Sequence, residues 1–283
     1  MEIREIFMIK KSFLGIFREE AHSPNRVSDD YEILRLSAEK LALKGLQVQT
    51  LHPQAVLQNV PARPDVAFIM CEQEKILALI QRWENEGTRV VNSIDAIYNT
   101  YRYRMIPLLQ NSAVQMPKSQ LFNVQELLNG ALKIERKIWM KRGDVHNTQA
   151  GDVVRVSTDE TARAALMHFA KHGIAQVVFQ DHIEGDLIKF YGVGDVQKSA
   201  QDFWFRHFYH RDQTLKNYVF DERELQKQVG LTAQKLGLCV FGGDAVIDEK
   251  GKIYIIDINA WPSFALFRQE ASQAIADFIA SPN

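Results

Sequence analysis

GDAVIDEKGKIYIIDINAWPSF, residues 243–264, decides how this chain is read. It forms two expected strands around a turn: Ala245 to Ile247, then Asp248 to Lys252 with Gly251 as the turn, then the apolar run Ile253 to Ile258. Yet this apolar hairpin carries Asp244 at the start of one arm, and Asp257 and Asn259 at the end of the other. Burying an unpaired carboxylate is costly, so these residues need a chemical reason. Strand side chains two apart share a face, which puts Asp257 and Asn259 together, and Asp244, thirteen residues before Asp257, can come level with them across the hairpin. Two carboxylates and an amide oxygen on one side of a sheet suit Mg²⁺, a hard cation that at nucleotide sites bridges carboxylates to phosphates. The competing reading makes Asp257 and Asn259 caps of a helix starting near Ser263.

Around this hairpin lie 283 residues, 46% hydrophobic, enough for a full core divided among two or three subdomains. Lys plus Arg number 34 against 35 for Asp plus Glu, and a formal net charge of -1 gives no global pull toward nucleic acid or an anionic membrane. Any polyanion must be met by local charges. Cys71 and Cys239 are far apart and lack metal-ligand spacing, which fits a reducing compartment better than a disulfide scaffold. The run IFMIKKSFLGIF, residues 6–17, is interrupted by two lysines, so neither a signal peptide nor a membrane span is expected. A cytoplasmic location follows by default.

Strands alternate with helices along the first hundred residues. EIFMI (residues 5–9) reads as a strand, DDYEILRLSAEKLALKG (29–45) as a helix opened by Asp29 with Glu32 three later and closed by Gly45, and LQVQTL as the next strand. DVAFIM, a helix near 73–86, TRVVN and a helix through AIYNTYRYRMIPLLQ continue a doubly wound α/β pattern. Residues 11–29 then form a long loop after the first strand. In such folds ligands sit beyond the carboxyl ends of strands, so His22, Ser23, Asn25 and Arg26 in that loop are candidate substrate contacts. The alternative is a plain surface excursion. Past QMPKSQLF the expected strands lie near 137–141, 152–156 and 175–180, then longer aromatic strands run through Phe208. This α+β region closes with an amphipathic helix from Ser263 to Ala280 carrying Phe267, Ala271, Ala274 and Phe278 on one face.

Two further stretches carry chemistry. IWMKRGDVHNTQAGDVVRV puts Lys141 at the end of an apolar strand before a small polar loop, a frame for a point charge on a phosphate. VVFQDHIEGDLIKFYGVG gives a strand ending at Gln180, an extended link to Ile183, and after Gly185 a strand bearing Lys189. The sideways backbone groups of such a link can pair with one edge of adenine. His207 and His210 sit three apart, but in a strand they face opposite sides, which argues against a zinc pair.

In this order the pieces resemble the ATP-grasp superfamily, nearest in pattern to its RimK-like carboxylate-amine ligases. The resemblance runs from about Asn92 to the end and is most specific at Asp244, Asp257 and Asn259, where DINAWPSF is close to the DINDWPSF of some RimK-like members. It implies an α/β and α+β ATP-grasp fold: an N-terminal doubly wound pre-ATP-grasp domain (1–98), a central subdomain (99–183) and a C-terminal subdomain (184–283). It also implies ATP and Mg²⁺ as cofactors. Phosphate contacts would be Arg102, fifteen residues before Pro117 where the family has a lysine, Lys141 and Lys189. The family's flexible glycine loop maps to NTQAGDVV, which keeps only Gly151. The adenine link maps to Gln180, Asp181, His182 and Ile183, and a ribose-binding acid to Asp186 or Glu184. Arg206 matches the family arginine facing the reacting acyl phosphate, and Lys189 joins it as the second catalytic residue.

The implied reaction joins a small carboxylic or amino acid to an amine through an acyl phosphate. The alternative is a small-molecule kinase like the inositol-phosphate kinases of the same superfamily, with His146 beside Lys141 as a phosphate contact. A regulatory nucleotide-binding module without turnover is a third reading, against which the complete metal triad argues. No nucleic-acid or membrane partner is expected, and a homodimer stays open.

Overall fold

The computed structural model describes residues 11–23, 27–145 and 149–281. It begins with β1 (Ser12–Ile16), α1 (Val27–Leu43), β2 (Gln47–Leu51), α2 (Pro53–Gln58), β3 (Val66–Ile69), α3 (Glu74–Asn85), β4 (Arg89–Val91) and α4 (Ile94–Asn99). The four strands make a parallel sheet in the order β2-β1-β3-β4. Successive residues of β1 and β3 enter two different cores: Phe13, Val66 and Phe68 on one face, Leu14, Ile16, Ala67 and Ile69 on the other. A strand buried on both faces must read as continuous apolar sequence, as these do.

The first strand departs from expectation. The stretch EIFMI lies outside the described residues, and β1 falls inside the stretch read as a loop, which therefore begins only after Ile16. The two lysines at 10 and 11 hid a second apolar run, SFLGI, behind them. Gly15 is required within it, because a Cβ there would lie 2.6 Å from the Phe68 ring. The expected continuous helix near 96–110 is also two helices, α4 and α5 (Arg102–Gln110), and Arg102 opens the second.

The central sheet follows: β5 (Ser119–Asn123), α6 (Val124–Asn129), β6 (Ile138–Arg142), β7 (Val153–Val156), α7 (Asp159–Lys171) and β8 (Gln176–Asp181), antiparallel in the order β5-β8-β6-β7. The helix α7 packs Leu166 and Phe169 with Met140 and Val177 of the sheet.

The last sheet contains β9 (Asp186–Val193), β10 (Trp204–Tyr209), then after α8 (Glu222–Leu236) the hairpin β11 (Val240–Ile247) and β12 (Ile253–Ala260), ordered β10-β9-β11-β12. One face is apolar: Ile188 and Phe190, Ala245 and Ile247, and Ile253, Ile255 and Ile258 pack with Met105 of α5 and Val229 of α8. Lys189 and Asp244 alternate onto the other face.

The chain ends with α9 (Arg268–Ala280), which packs Ala271 and Ile275 against Ile33 and Leu34 of α1 on the N-terminal sheet. The expected helix start at Ser263 is corrected to Arg268, and the buried face centres on Ala271, Ile275, Ala276 and Ile279, with Ala274 and Phe278 only partly buried. Residues 261–267 instead form a tight connector. Within it Trp261 (φ 44°) and Phe264 (φ 50°) adopt left-handed backbone that bulky residues rarely take.

Trp261 is fully buried and pins three elements. Its amide donates to Val240 O (3.0 Å) and its Nε1 to Val91 O (2.9 Å), tying the end of β12 to β11 and to β4. Trp261→Phe leaves the Val91 carbonyl without its indole partner, a loss of about 1–3 kcal/mol. A thermal unfolding scan should show a melting temperature lower by roughly 2–10 °C. An unchanged melting temperature would show the bond to be dispensable.

Candidate active site

The hairpin resolves its own puzzle with a β-bulge. Asp244 pairs with Asp257, but Ala245 pairs with Ile255, so Ile256 is an extra residue on β12. Simple alternation from Ile253 and Ile255 would send Asp257 into the apolar core. The extra residue resets the parity, so Ile258 returns to the core and Asp257 and Asn259 share the open face with Asp244. The other expected explanation fails, because the helix these residues were to cap begins at Arg268.

Lys189 stands opposite Asp244 on β9, and its Nζ donates to Asp244 Oδ1 at 2.7 Å. Lys141, from the central sheet, is 5% exposed and donates to Ile256 O, the carbonyl of the bulge residue, at 3.0 Å. Burial pushes its ammonium down to about 8 and Arg102 adds to this, while Asp257 and Asp244 oppose it. The central and C-terminal sheets thus meet through a lysine on a bulge carbonyl.

Between them lies a cavity of about 250 Å³. Trp139, Ile183, Leu187, Val246 and Ile256 make its apolar walls, and Lys141, Gln180, Asp181, Asp244 and Asp257 its polar ones. Trp139 Nε1 is bonded to His182 Nδ1 at 3.0 Å, which fixes the indole. At the end of β8, Asp181 N donates to Lys118 O, and in the link beyond it His182 N donates to Lys137 O, whereas the Ile183 amide has no partner among the described residues. Gln180 is 2% exposed and held by Ser119 Oγ, and Asp181 accepts from Arg136.

The oxygens fit a hard cation. Asn259 Oδ1 is buried with no hydrogen-bond partner, on the same face as two carboxylates. Such an acceptor is costly unless a donor or cation meets it. Among the described residues no group of three His, Cys, Asp or Glu side chains could hold a metal ion, so a site on this face needs the Asn259 amide oxygen beside the two carboxylates. Asp244, Asp257 and Asn259 would hold Mg²⁺.

Other expected contacts lie elsewhere. Arg102 is 1% exposed; it pairs with Asp257 Oδ2 at 2.7 Å and donates to Arg142 O and Val145 O, so it braces the Asp257 carboxylate and does not line the cavity. Asp186 faces the opposite side of β9 and accepts from the amides of Lys216 and Tyr218, while the exposed Glu184 lies 3.0 Å from His182 Nε2. Arg206 shares the face of Lys189 but is two pairs further along β10, bound to Glu270 at 2.6 Å and lying over Trp204. It lines a different groove, with Glu222 and Phe267. Ser23 is 3% exposed and donates to Asp30, so it offers nothing to a substrate; His22 stays half-buried against Glu19. Asn25, Arg26 and His146 lie outside the described residues. Ser263 lies five residues before the helix start, and its hydroxyl is buried without a partner.

Sequence reading missed Arg18. It is bound to Glu72 (2.6 Å) and Asp30 (3.3 Å) and donates to Trp261 O at 2.7 Å, joining the N-terminal sheet to the strand that bears Asp257. Nothing in its local sequence marks it, since all its partners are distant in the chain.

No family model and no curated protein matches the sequence. Solved structures do match the fold. A RimK domain ATP-grasp protein from Sphaerobacter thermophilus superposes with a TM-score of 0.68 at 17% identity, covering 95% of this chain and 100% of the other. D-alanine–D-alanine ligase from Bacillus anthracis, complexed with ATP, gives 0.67 at 11% identity, covering 95% of both chains. The ATP-grasp ligase PsnB, complexed with a precursor peptide and AMPPNP, gives 0.62 at 15% identity over 95% of this chain and 98% of its own. Among the described residues no helix is long and apolar enough to cross a membrane. The fold that the DINAWPSF hairpin pointed to is matched over 95% of the chain: this is a protein of the ATP-grasp fold.

Proposed function

We propose that this protein is an ATP- and Mg²⁺-dependent carboxylate-amine ligase of RimK-like type, acting in the cytoplasm on a small carboxylic or amino acid. The observation that carries this reading is the bulged hairpin, which places Asp244 and Asp257 on one face with the unpartnered Asn259 oxygen, beside Lys141 and Lys189. The functional units are residues 1–98, 99–183 and 184–283, with the nucleotide between the second and third. Adenine lies between Trp139 and the aliphatic walls, its edge read by the free Ile183 amide. Mg²⁺ held by Asp244, Asp257 and Asn259 would supply charge neutralisation to the phosphates. Lys141 and Lys189 act as point charges on the phosphates, and Arg102 holds Asp257 in place from behind. Lys189, between the nucleotide and the acceptor, stabilises charge developing on the transferred group.

The reaction follows from positioning. A substrate carboxylate oxygen bonds to the γ-phosphorus as the bond to the bridging oxygen breaks, ADP leaves, and an amine displaces phosphate from the acyl phosphate. Screening ADP release against pooled amino acids, small dicarboxylates and polyol phosphates tests this. The expected result is ADP and free phosphate in equal amounts, with one oxygen-18 passing from labelled carboxylate to phosphate. ADP with a stable phosphorylated product and no free phosphate would establish a kinase instead.

A further inference from the structure

A second cavity, about 310 Å³, adjoins the first, and the Lys189–Asp244 pair forms the wall between them: Asp244 lines one and Lys189 the other. Its chemistry is mixed in a specific way. Lys189 and Arg211 bring positive charge, Asp29 and Asp212 negative charge, and Tyr191 and Phe208 an apolar wall. The wall is rigid, since the Tyr191 and Phe208 rings are 5.6 Å apart and Phe264 and Phe267 pack behind them. Arg211 and Asp212, adjacent on the turn after β10, have no ion-pair partner among the described residues, while Asp29 holds Arg268. Two uncommitted opposite charges beside an aromatic wall match a ligand with both charges and an apolar body.

We propose that this cavity binds an α-amino acid with an apolar side chain, as the carboxylate donor of the reaction. Its carboxylate meets Lys189 and Arg211, its ammonium meets Asp212 and Asp29, and its side chain lies on Tyr191 and Phe208. The two positive and two negative groups balance a zwitterion, whereas an acidic side chain would bring an extra negative charge to an apolar wall. The carboxylate then sits one lysine away from the metal carboxylates. One of its oxygens attacks the γ-phosphorus, the bond to the β,γ-bridging oxygen breaks, and ADP departs with that electron pair. This inference rests on the nucleotide reading above.

Calorimetry on the full chain, with and without a non-hydrolysable ATP analogue, tests it using leucine, phenylalanine, glutamate, N-acetyl-leucine and leucinamide. Leucine or phenylalanine should bind at least about tenfold tighter than the other three, the scale of one lost charge-assisted hydrogen bond. Asp212→Asn should weaken leucine and leave N-acetyl-leucine unchanged. Arg211→Gln should weaken leucine and N-acetyl-leucine alike and leave leucinamide unchanged. Glutamate binding as well as leucine, or substitutions without these selective effects, would overturn the proposal. Analogue binding without any amino acid binding rejects this inference and leaves the nucleotide reading standing. Leucine binding without analogue binding rejects the nucleotide reading and the donor role with it, leaving only an amino acid site.

Discussion

Asp257→Asn is expected to lower ATP turnover by about a thousandfold, the scale of losing one preorganised charge at a reacting centre. The carboxylate stands in two relations in the structure: it shares the open face with Asp244 and Asn259, where we propose the metal binds, and it pairs with Arg102 at 2.7 Å. Removing one partner of a buried pair can cost about 3–5 kcal/mol, because the other charge is left uncompensated. Asparagine keeps an acceptor oxygen, and Arg102 keeps its bonds to Arg142 O and Val145 O, so the expected loss is nearer 1–3 kcal/mol. The melting temperature should therefore fall by several degrees without unfolding the chain at room temperature. A second substitution, Arg102→Gln, separates the two relations. Added to Asp257→Asn, it should recover part of the lost stability, since the buried guanidinium that has lost its carboxylate is itself removed, while turnover stays lost. An Asp257→Asn enzyme with half the original activity would remove the metal assignment.

How far the sequence could be read turns on locality. Asp244, Asp257 and Asn259 were legible because one hairpin carries them, and even the bulge left a trace: the core isoleucines at 253, 255 and 258 are spaced two and then three. Lys141 and Lys189 were legible as charges ending or interrupting apolar strands. Arg102 was found by its position but not its role. Its guanidinium turns into the protein to meet a strand 155 residues away, and spacing along the chain cannot state that. Arg206 failed for a register reason. The antiparallel pairing of β9 and β10 puts Phe208, not Arg206, opposite Lys189, so the arginine lies further from the cavity than its order in the sequence suggests. Asp186 failed by parity, being three residues from Lys189 on one strand and hence on the other face. The loop reading of residues 11–29 failed at SFLGI because two lysines split one apolar run, and only its first half was read as a strand. Arg18 was invisible because its partners Asp30, Glu72 and Trp261 come together only in the fold.

Lys141→Met should weaken ATP by about 10–100-fold and leave adenosine nearly unchanged, since a charge-assisted contact to phosphate is worth roughly 1.5–3 kcal/mol and the nucleoside does not reach it. Equal losses for both ligands would place Lys141 away from the phosphates. The pH dependence makes a sharper test. In the free protein the ammonium is held down to about 8 by burial, against 10.5 for an ordinary lysine. Polyphosphate favours the charged form and raises that value in the complex. ATP affinity should therefore be flat below about pH 8 and decline above it, by up to about tenfold per unit. Stability runs the opposite way. Between about 8 and 10.5 the unfolded chain binds this proton and the folded chain does not, so the free energy of unfolding gains a positive slope with pH from Lys141 across that window. Below it, the folded state carries the full cost of a buried cation. Falling ATP affinity with rising stability over one pH range is a signature that a surface lysine cannot give, because its value would be the same folded and unfolded. Lys141→Met should abolish both slopes together. If the methionine variant keeps the decline in ATP affinity above pH 8, another group carries the titration and Lys141 is not the phosphate contact.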